Sequence, residues 1–169
     1  MSGRVLAVVS PGEEARALAS LTGLVTIARA AEAEVRLVCL RPLPPPRVDG
    51  FDHVVADTDQ EMSRITSSTR QTFDAATRRF EDVTVETVVR FGAPAREAVL
   101  EAKAYAPQII VVFAAAAGLL SRLRAWALRR RLTGRTDARL LVLQPARVRQ
   151  PDRAAGDLTR PELLPARRD

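Results

Sequence analysis

The side chains that most often carry chemistry are few in this chain and badly placed for it. His53 is the only histidine, and it stands beside Asp52 in a proline-rich stretch. No serine or cysteine nearby completes a nucleophile–base arrangement, so His53 reads as a solvated loop residue. Cys39 is the only cysteine and sits in the apolar run Val35 to Leu40. It can form no disulfide within the chain and belongs to no metal-ligand cluster. A thiol buried in such a run is inert, which assigns it to packing. Glu97 and Glu101 are one helical turn apart, but nothing pairs carboxylates in a pocket, so general acid–base work has no visible agent. Asp57, Asp59 and Glu61 read as helix-capping and first-turn charges. The expectation is a protein that is not an enzyme.

One cluster stands out. Arg122, Arg124, Arg129, Arg130, Arg131, Arg135 and Arg139 fall within eighteen residues, with Asp137 as their only opposite charge. They form either a solvated helix face or a contact for phosphate, which guanidinium binds bidentately. The formal net charge of +6, with Lys103 the only lysine, reads first as genomic base composition and second as a sign of an anionic partner. Nucleic acid is not expected, because no aromatic residues interleave to stack bases and no nucleic-acid motif is present.

The elements that must position these groups alternate regularly. Arg4 to Val9, Val35 to Leu40, Val83 to Val89, Gln108 to Phe113 and Arg139 to Leu143 read as strands, the first and fourth as apolar as strands buried on both faces. Ser10 is read as a helix cap with Pro11 at the first position and Glu13 three residues on, opening a helix to about Ala31. Arg41 to Asp57 is read as a loop marked by Pro42, Pro44, Pro45 and Pro46. A helix from Asp57 or Asp59 to about Phe80 carries the stripe Met62, Ile65, Thr69, Phe73, Ala76 and Phe80. Pro94 opens a helix through about Tyr105, and a fourth helix follows Ala114 to Gly118.

Strand and helix alternating in this way predict an α/β fold, a doubly wound parallel five-stranded sheet with helices on both faces. A chain of 169 residues, 47% hydrophobic and 27% charged, suits one such domain. We assign it residues 1–146, with 147–169 a disordered tail too poor in apolar residues to offset the entropy of ordering. The longest uncharged apolar run, Ile109 to Leu120, is too short for a span of about 20 residues, so no membrane segment is expected. The N-terminus shows no cleavage signature, and the expected location is cytoplasmic. Ligands of such sheets bind beyond the carboxyl ends of the strands where strand order reverses, here Ser10 to Gly12, Leu40 to Pro42 and Ala114 to Gly118.

Val85, Val89, Gly92, Pro94, Ala95, Val99, Ala102 and Ile109 to Val112, with Arg4 to Val9 and Ser121-Arg122-Leu123, resemble in order and spacing the universal stress protein (UspA-like) family over about residues 3 to 146. The resemblance implies an adenine nucleotide alpha hydrolase-like, Rossmann-like fold and a dimer across the last strand, Leu140, Leu141, Val142 and Leu143. ATP-binding members of the family carry a loop of the form G-x-x-G, nine residues, then G-[ST], and an Asp ending the first strand. Glycines there let backbone N–H groups reach the phosphates. This chain departs from the pattern. Ser10 holds the Asp position. If Gly118 is the second glycine, Ala115 replaces the first and Leu128-Arg129 the Gly-Ser pair; in the register set by Ser121, Trp126-Ala127 replaces the pair and Phe113 and Ala116 the loop glycines. The expectation is a non-catalytic regulatory module with no cofactor, acting as a homodimer or through an unidentified protein partner. The alternative is a sensor of ATP, another adenine nucleotide or a phosphate ligand, built from Ser10, Pro11, Leu40, Ala115, Gly118, Ser121, Arg122 and Arg124, with arginines replacing the glycine loop.

Overall fold

The structure, a computed structural model, describes residues 3–51, 53–113, 130 and 138–143. The elements run β1 (Gly3–Val9), α1 (Glu14–Ala19), α2 (Leu21–Ala30), β2 (Ala33–Arg41), β3 (Arg47–Val48), β4 (Val54–Ala56), α3 (Thr58–Thr77), β5 (Val85–Phe91), α4 (Pro94–Tyr105), β6 (Ile109–Phe113) and β7 (Arg139–Leu143). Five strands make one sheet in the order β5-β2-β1-β6-β7, every pairing parallel. The chain leaves β1 toward β2 on one side and reaches β6 on the other, so the reversal of order falls between β1 and β6. The predicted tail and, apart from Arg130, the predicted fourth helix with residues 114–129 lie outside the described residues.

Period-two alternation divides the core. Val5, Ala7, Val9, Val35, Leu37, Cys39, Val111 and Phe113 face α1, α2 and α3, packing on Ala17, Leu21, Leu24, Val25, Ala28 and Phe73. Leu6, Val8, Val38, Leu40, Ile110 and Val112 face α4, packing on Ala98, Val99, Ala102 and Tyr105. Helices thus cover both faces, and α2 buries Leu21, Leu24, Val25 and Ala28. A Cβ on Gly23 would lie 3.3 Å from Leu143 Cδ2, so glycine admits the last strand's side chain against α2.

Several boundaries differ from the sequence reading. Ser10 does not cap a helix. Its carbonyl accepts from Glu13 N at 3.0 Å, with Pro11 and Gly12 at the two central positions and Gly12 at φ +82°. That is the residue pattern of a type II turn, and it delays α1 to Glu14. The helix read as continuous to Ala31 bends at Ser20, whose N–H is shared between Arg16 O and Ala17 O. Strand β5 begins two residues later than read, because Val35 N reaches back to Thr84 O where pairing starts. The stretch Arg41 to Asp57, read as a loop, contains the antiparallel hairpin β3–β4 with a register shift at Arg47/Val48.

The cap at Asp57 is as read. Its side chain accepts from Gln60 N at 2.8 Å while Gln60 Oε1 accepts from Asp57 N at 3.2 Å, a full capping box. Of the α3 stripe, Thr69 and Phe73 are buried, and Thr87 Oγ1 donates to Asp74 Oδ1 at 3.0 Å, tying α3 to β5. Glu61 stands in the first turn of α3, as read. It is buried, held by Arg64 at 2.9 Å and by Arg47 Nε of the hairpin at 3.5 Å.

Candidate functional site

The carboxyl ends of β1 and β2 bring Ser10, Gly12, Glu14 and Arg41 to one edge of the sheet. Each is placed by a local rule. The turn Ser10 to Glu13 reverses the chain out of β1, and Gly12 supplies the positive φ; a Cβ there would meet nothing within 4 Å, so conformation and not space selects glycine. The turn sets Glu14 at the start of α1, where its carboxylate curls back: Oε1 accepts from Gly12 N at 3.3 Å and from Arg41 Nη1 at 2.9 Å. Arg41 O in turn accepts from Gly92 N at 2.9 Å, fixing the end of β2 to the end of β5. Arg41 Nε is buried and has no hydrogen-bond partner in this structure.

Among the described residues, the groups of this edge that a phosphate would use are the Gly12 N–H and the Arg41 guanidinium, and Glu14 Oε1 lies against the first and against Nη1 of the second. Glu13 adds a second carboxyl. Burial pushes its pKa above the ordinary carboxylate range, against the pull of Arg16 and of hydrogen bonds from Ser10.

Of the residues read as candidate ligand contacts, Ser10 is half-buried and Pro11 exposed at this edge. Leu40 is placed differently: its side chain is 1% exposed and belongs to the core beneath α4. Ala115, Gly118, Ser121, Arg122 and Arg124 lie outside the described residues, as do Trp126 and Leu128. The β6 side of the crevice is described only to Phe113, which is buried in the core. Of the arginine cluster, Arg130 is exposed, and Arg139 opens β7 opposite Ile109 at the amino end of the strands, away from the edge it was read beside.

The remaining candidates settle into structural places. Cys39 is buried, and burial pushes its thiol up to about 12, so it stays protonated and unreactive at neutral pH. His53 is exposed, and its ring Nδ1 lies 3.3 Å from Asp49 Oδ2. Glu101, read in the sequence only as a carboxylate one turn from Glu97, has a burial and arginine partners that the sequence reading did not give. It is 1% exposed, with Oε1 accepting from Arg36 Nη1 at 3.0 Å and Oε2 from Arg90 Nε and Nη2 at 2.7 Å. Arg36 also pairs with Glu86 at 2.8 Å and lies 4.3 Å over the Tyr105 ring. A signal was present: Glu101 shares the arc of Ala98, Ala102 and Tyr105, and the strands β2 and β5 carry Arg36 and Arg90 among apolar residues.

The sheet has β5 at one edge and β7 at the other, and on β7 Leu141 and Val142 are exposed. No helix among the described residues is long and apolar enough to cross a membrane.

Comparison with known proteins agrees with this architecture. No curated protein matches the chain. Solved structures do, at low identity. Universal stress protein UspA from Lactobacillus plantarum is 17% identical with a TM-score of 0.58, over 83% of this chain and 97% of that one. A universal stress protein family member from Burkholderia pseudomallei is 17% identical with a TM-score of 0.55, over 85% and 96%. A universal stress protein solved in complex with cAMP is 16% identical with a TM-score of 0.51, over 86% and 100%. These likenesses establish the Rossmann-like, adenine nucleotide alpha hydrolase-like fold. The model of the universal stress protein family matches residues 1–142, nearly the whole of the α/β domain, and the chain belongs to that family.

Proposed function

We propose that this chain is a non-catalytic regulatory module of the universal stress protein family that does not hold ATP as the family's ATP-binding members do. The observation that carries the reading is the Glu14 carboxylate seated on the Gly12 N–H and the Arg41 guanidinium. A triphosphate arriving at this edge meets a Gly12 N–H and an Arg41 Nη1 that already face Glu14, two carboxyl groups, and Ser10 in the place of the family's aspartate. Each of these works in the same direction as the missing glycine pattern after β6. The module acts in the cytoplasm as a dimer across β7, whose exposed Leu141 and Val142 form an edge that needs covering.

A second reading has its own support. If Glu14 swings aside, Gly12 N–H and Arg41 become donors for a small phosphate ligand, and a protein of the same fold is described in complex with cAMP. The arginines Arg122 and Arg124 would then supply the charge that the glycine loop does not. Thermal melting with ATP, AMP and cAMP separates the two readings. A ligand present at a hundredfold excess over its Kd stabilises the fold by about 2.7 kcal/mol. We expect the midpoint to stay unchanged at millimolar ATP, AMP or cAMP. A rise with AMP or cAMP alone supports the sensor, and a rise with ATP overturns the first reading.

A further inference from the structure

A single oxygen, Glu14 Oε1, accepts from Gly12 N at 3.3 Å and from Arg41 Nη1 at 2.9 Å. A turn N–H and a guanidinium converging on one anionic oxygen are the donors that hold a phosphate elsewhere in proteins. The carboxylate leaves part of their capacity unused. Among the described residues Arg41 Nε is buried without a hydrogen-bond partner, so its desolvation is not offset. The contact itself is open to solvent on one side, the Glu14 and Arg41 side chains being 24% and 29% exposed. Gly12 is exposed too, and the turn it belongs to faces open space, since a Cβ there would meet nothing within 4 Å.

The two partners of this contact differ in how firmly the fold holds them. Arg41 ends β2, paired with Phe91 of β5, and its carbonyl accepts from Gly92 N at 2.9 Å. Its backbone is part of the sheet and stays where it is. Glu14 opens α1, which is six residues long, with Ala17 its one buried residue and Leu18 partly buried against the core. The Ser10–Glu13 turn bounds α1 on one side and the bend at Ser20 on the other. The bend is poorly bonded: Ser20 N is shared between two carbonyls, and among the described residues the buried Ser20 Oγ has no partner. A short segment with so little burial, bounded by a turn and a bend, opens at lower cost than the sheet beneath it.

We propose that Glu14 is an autoinhibitory latch: its carboxylate occupies a site for one phosphate monoester group on Gly12 N–H and Arg41, and movement of α1 that lifts the carboxylate away opens that site. The inference rests on the reading that the chain leaves ATP unbound because Glu14 holds these donors, and it adds what the edge accepts once they are released. One guanidinium and one N–H match a single phosphoryl group, whereas a longer phosphate chain also meets the Glu13 carboxyl beside the turn. A carboxylate tethered this close competes at an effective concentration on the order of millimolar or above. A free ligand therefore binds with an affinity reduced by the small fraction of chains in which the latch is open.

The test titrates inorganic phosphate and AMP, separately, into full-length protein by isothermal calorimetry. Four forms are compared: unsubstituted, Glu14→Ala, Glu14→Gln, which keeps the side chain's size and removes its charge, and the double variant Glu14→Ala with Arg41→Ala. Both single variants are expected to bind phosphate and AMP about tenfold or more tighter than the unsubstituted protein, with unchanged circular dichroism. The double variant is expected to lose that gain. Affinity equal to that of the unsubstituted protein in both single variants overturns the latch, as does a gain that survives Arg41→Ala. A gain confined to AMP places recognition on the nucleoside and overturns the phosphate assignment. The reading beneath it fails on a different result, ATP bound by the unsubstituted protein, so the two failures are told apart.

Discussion

Replacing Glu101 by alanine is expected to cost the domain about 2–3 kcal/mol. Breaking one side of a fully buried ion pair costs about 3–5 kcal/mol, because a charge is left without its partner in a dry environment. Glu101 is 1% exposed and receives three guanidinium contacts of 2.7–3.0 Å from Arg36 and Arg90. The figure is lowered here because the two arginine side chains are 26% and 48% exposed, and Arg36 keeps Glu86 and the Tyr105 face. A change of that size lowers the melting temperature by roughly 5–10 °C in a domain of this length. The control is Glu86→Ala, which removes the other carboxylate of the same network from a side chain 56% exposed. It is expected to cost less than about 1 kcal/mol and to lose even that in high salt. Urea denaturation of the two variants at low and high salt measures both. The reasoning is refuted if Glu101→Ala lies within about 0.5 kcal/mol of the unsubstituted protein, since a surface substitution behaves that way, or if the two variants cost the same.

Two further outcomes follow from burial at the sheet. Cys39, with its thiol pushed up to about 12, is expected to resist an aromatic disulfide reagent in the native protein and to react fully in denaturant; fast native-state labelling would place it outside the core. Glu13 has a folded-state pKa raised by burial, so the fold binds its proton more tightly than the unfolded chain does, and stability falls as pH rises through the raised value. Glu13→Gln is therefore expected to melt above the unsubstituted protein at pH 7, with the gap closing as the pH drops into the acid range. A gap that widens toward acid would reverse the assigned sign.

The sheet was legible because its information is local and repeated. Val5 to Val9 and Ile109 to Phe113 are apolar on both faces, and no element other than a central parallel strand uses such a run between helices. The Asp57 cap and the Pro94 start were equally plain, being set by a few adjacent residues. The turn at Ser10 was misread because Ser-Pro-x-Glu fits both a capping box and a type II turn, and only the positive φ of Gly12 decides between them. The hairpin was hidden by the proline run before it, although Asp49-Gly50 between Val48 and Val54 carried the turn signal. Glu14 on Arg41, and Glu101 between Arg36 and Arg90, were only partly legible for a different reason. Both depend on how the parallel strands bring Arg36 and Arg41 of β2 and Arg90 of β5 beside carboxylates of α1 and α4.

The central claim is that Glu14, seated on the donors of the carboxyl edge, keeps ATP out. Isothermal calorimetry with ATP on the purified full-length protein, preceded by acid release and chromatography of any nucleotide it carries, tests that claim most directly. We expect no released nucleotide and no heat of binding at millimolar ATP. Stoichiometric ATP, either carried through purification or bound in the titration, would contradict it.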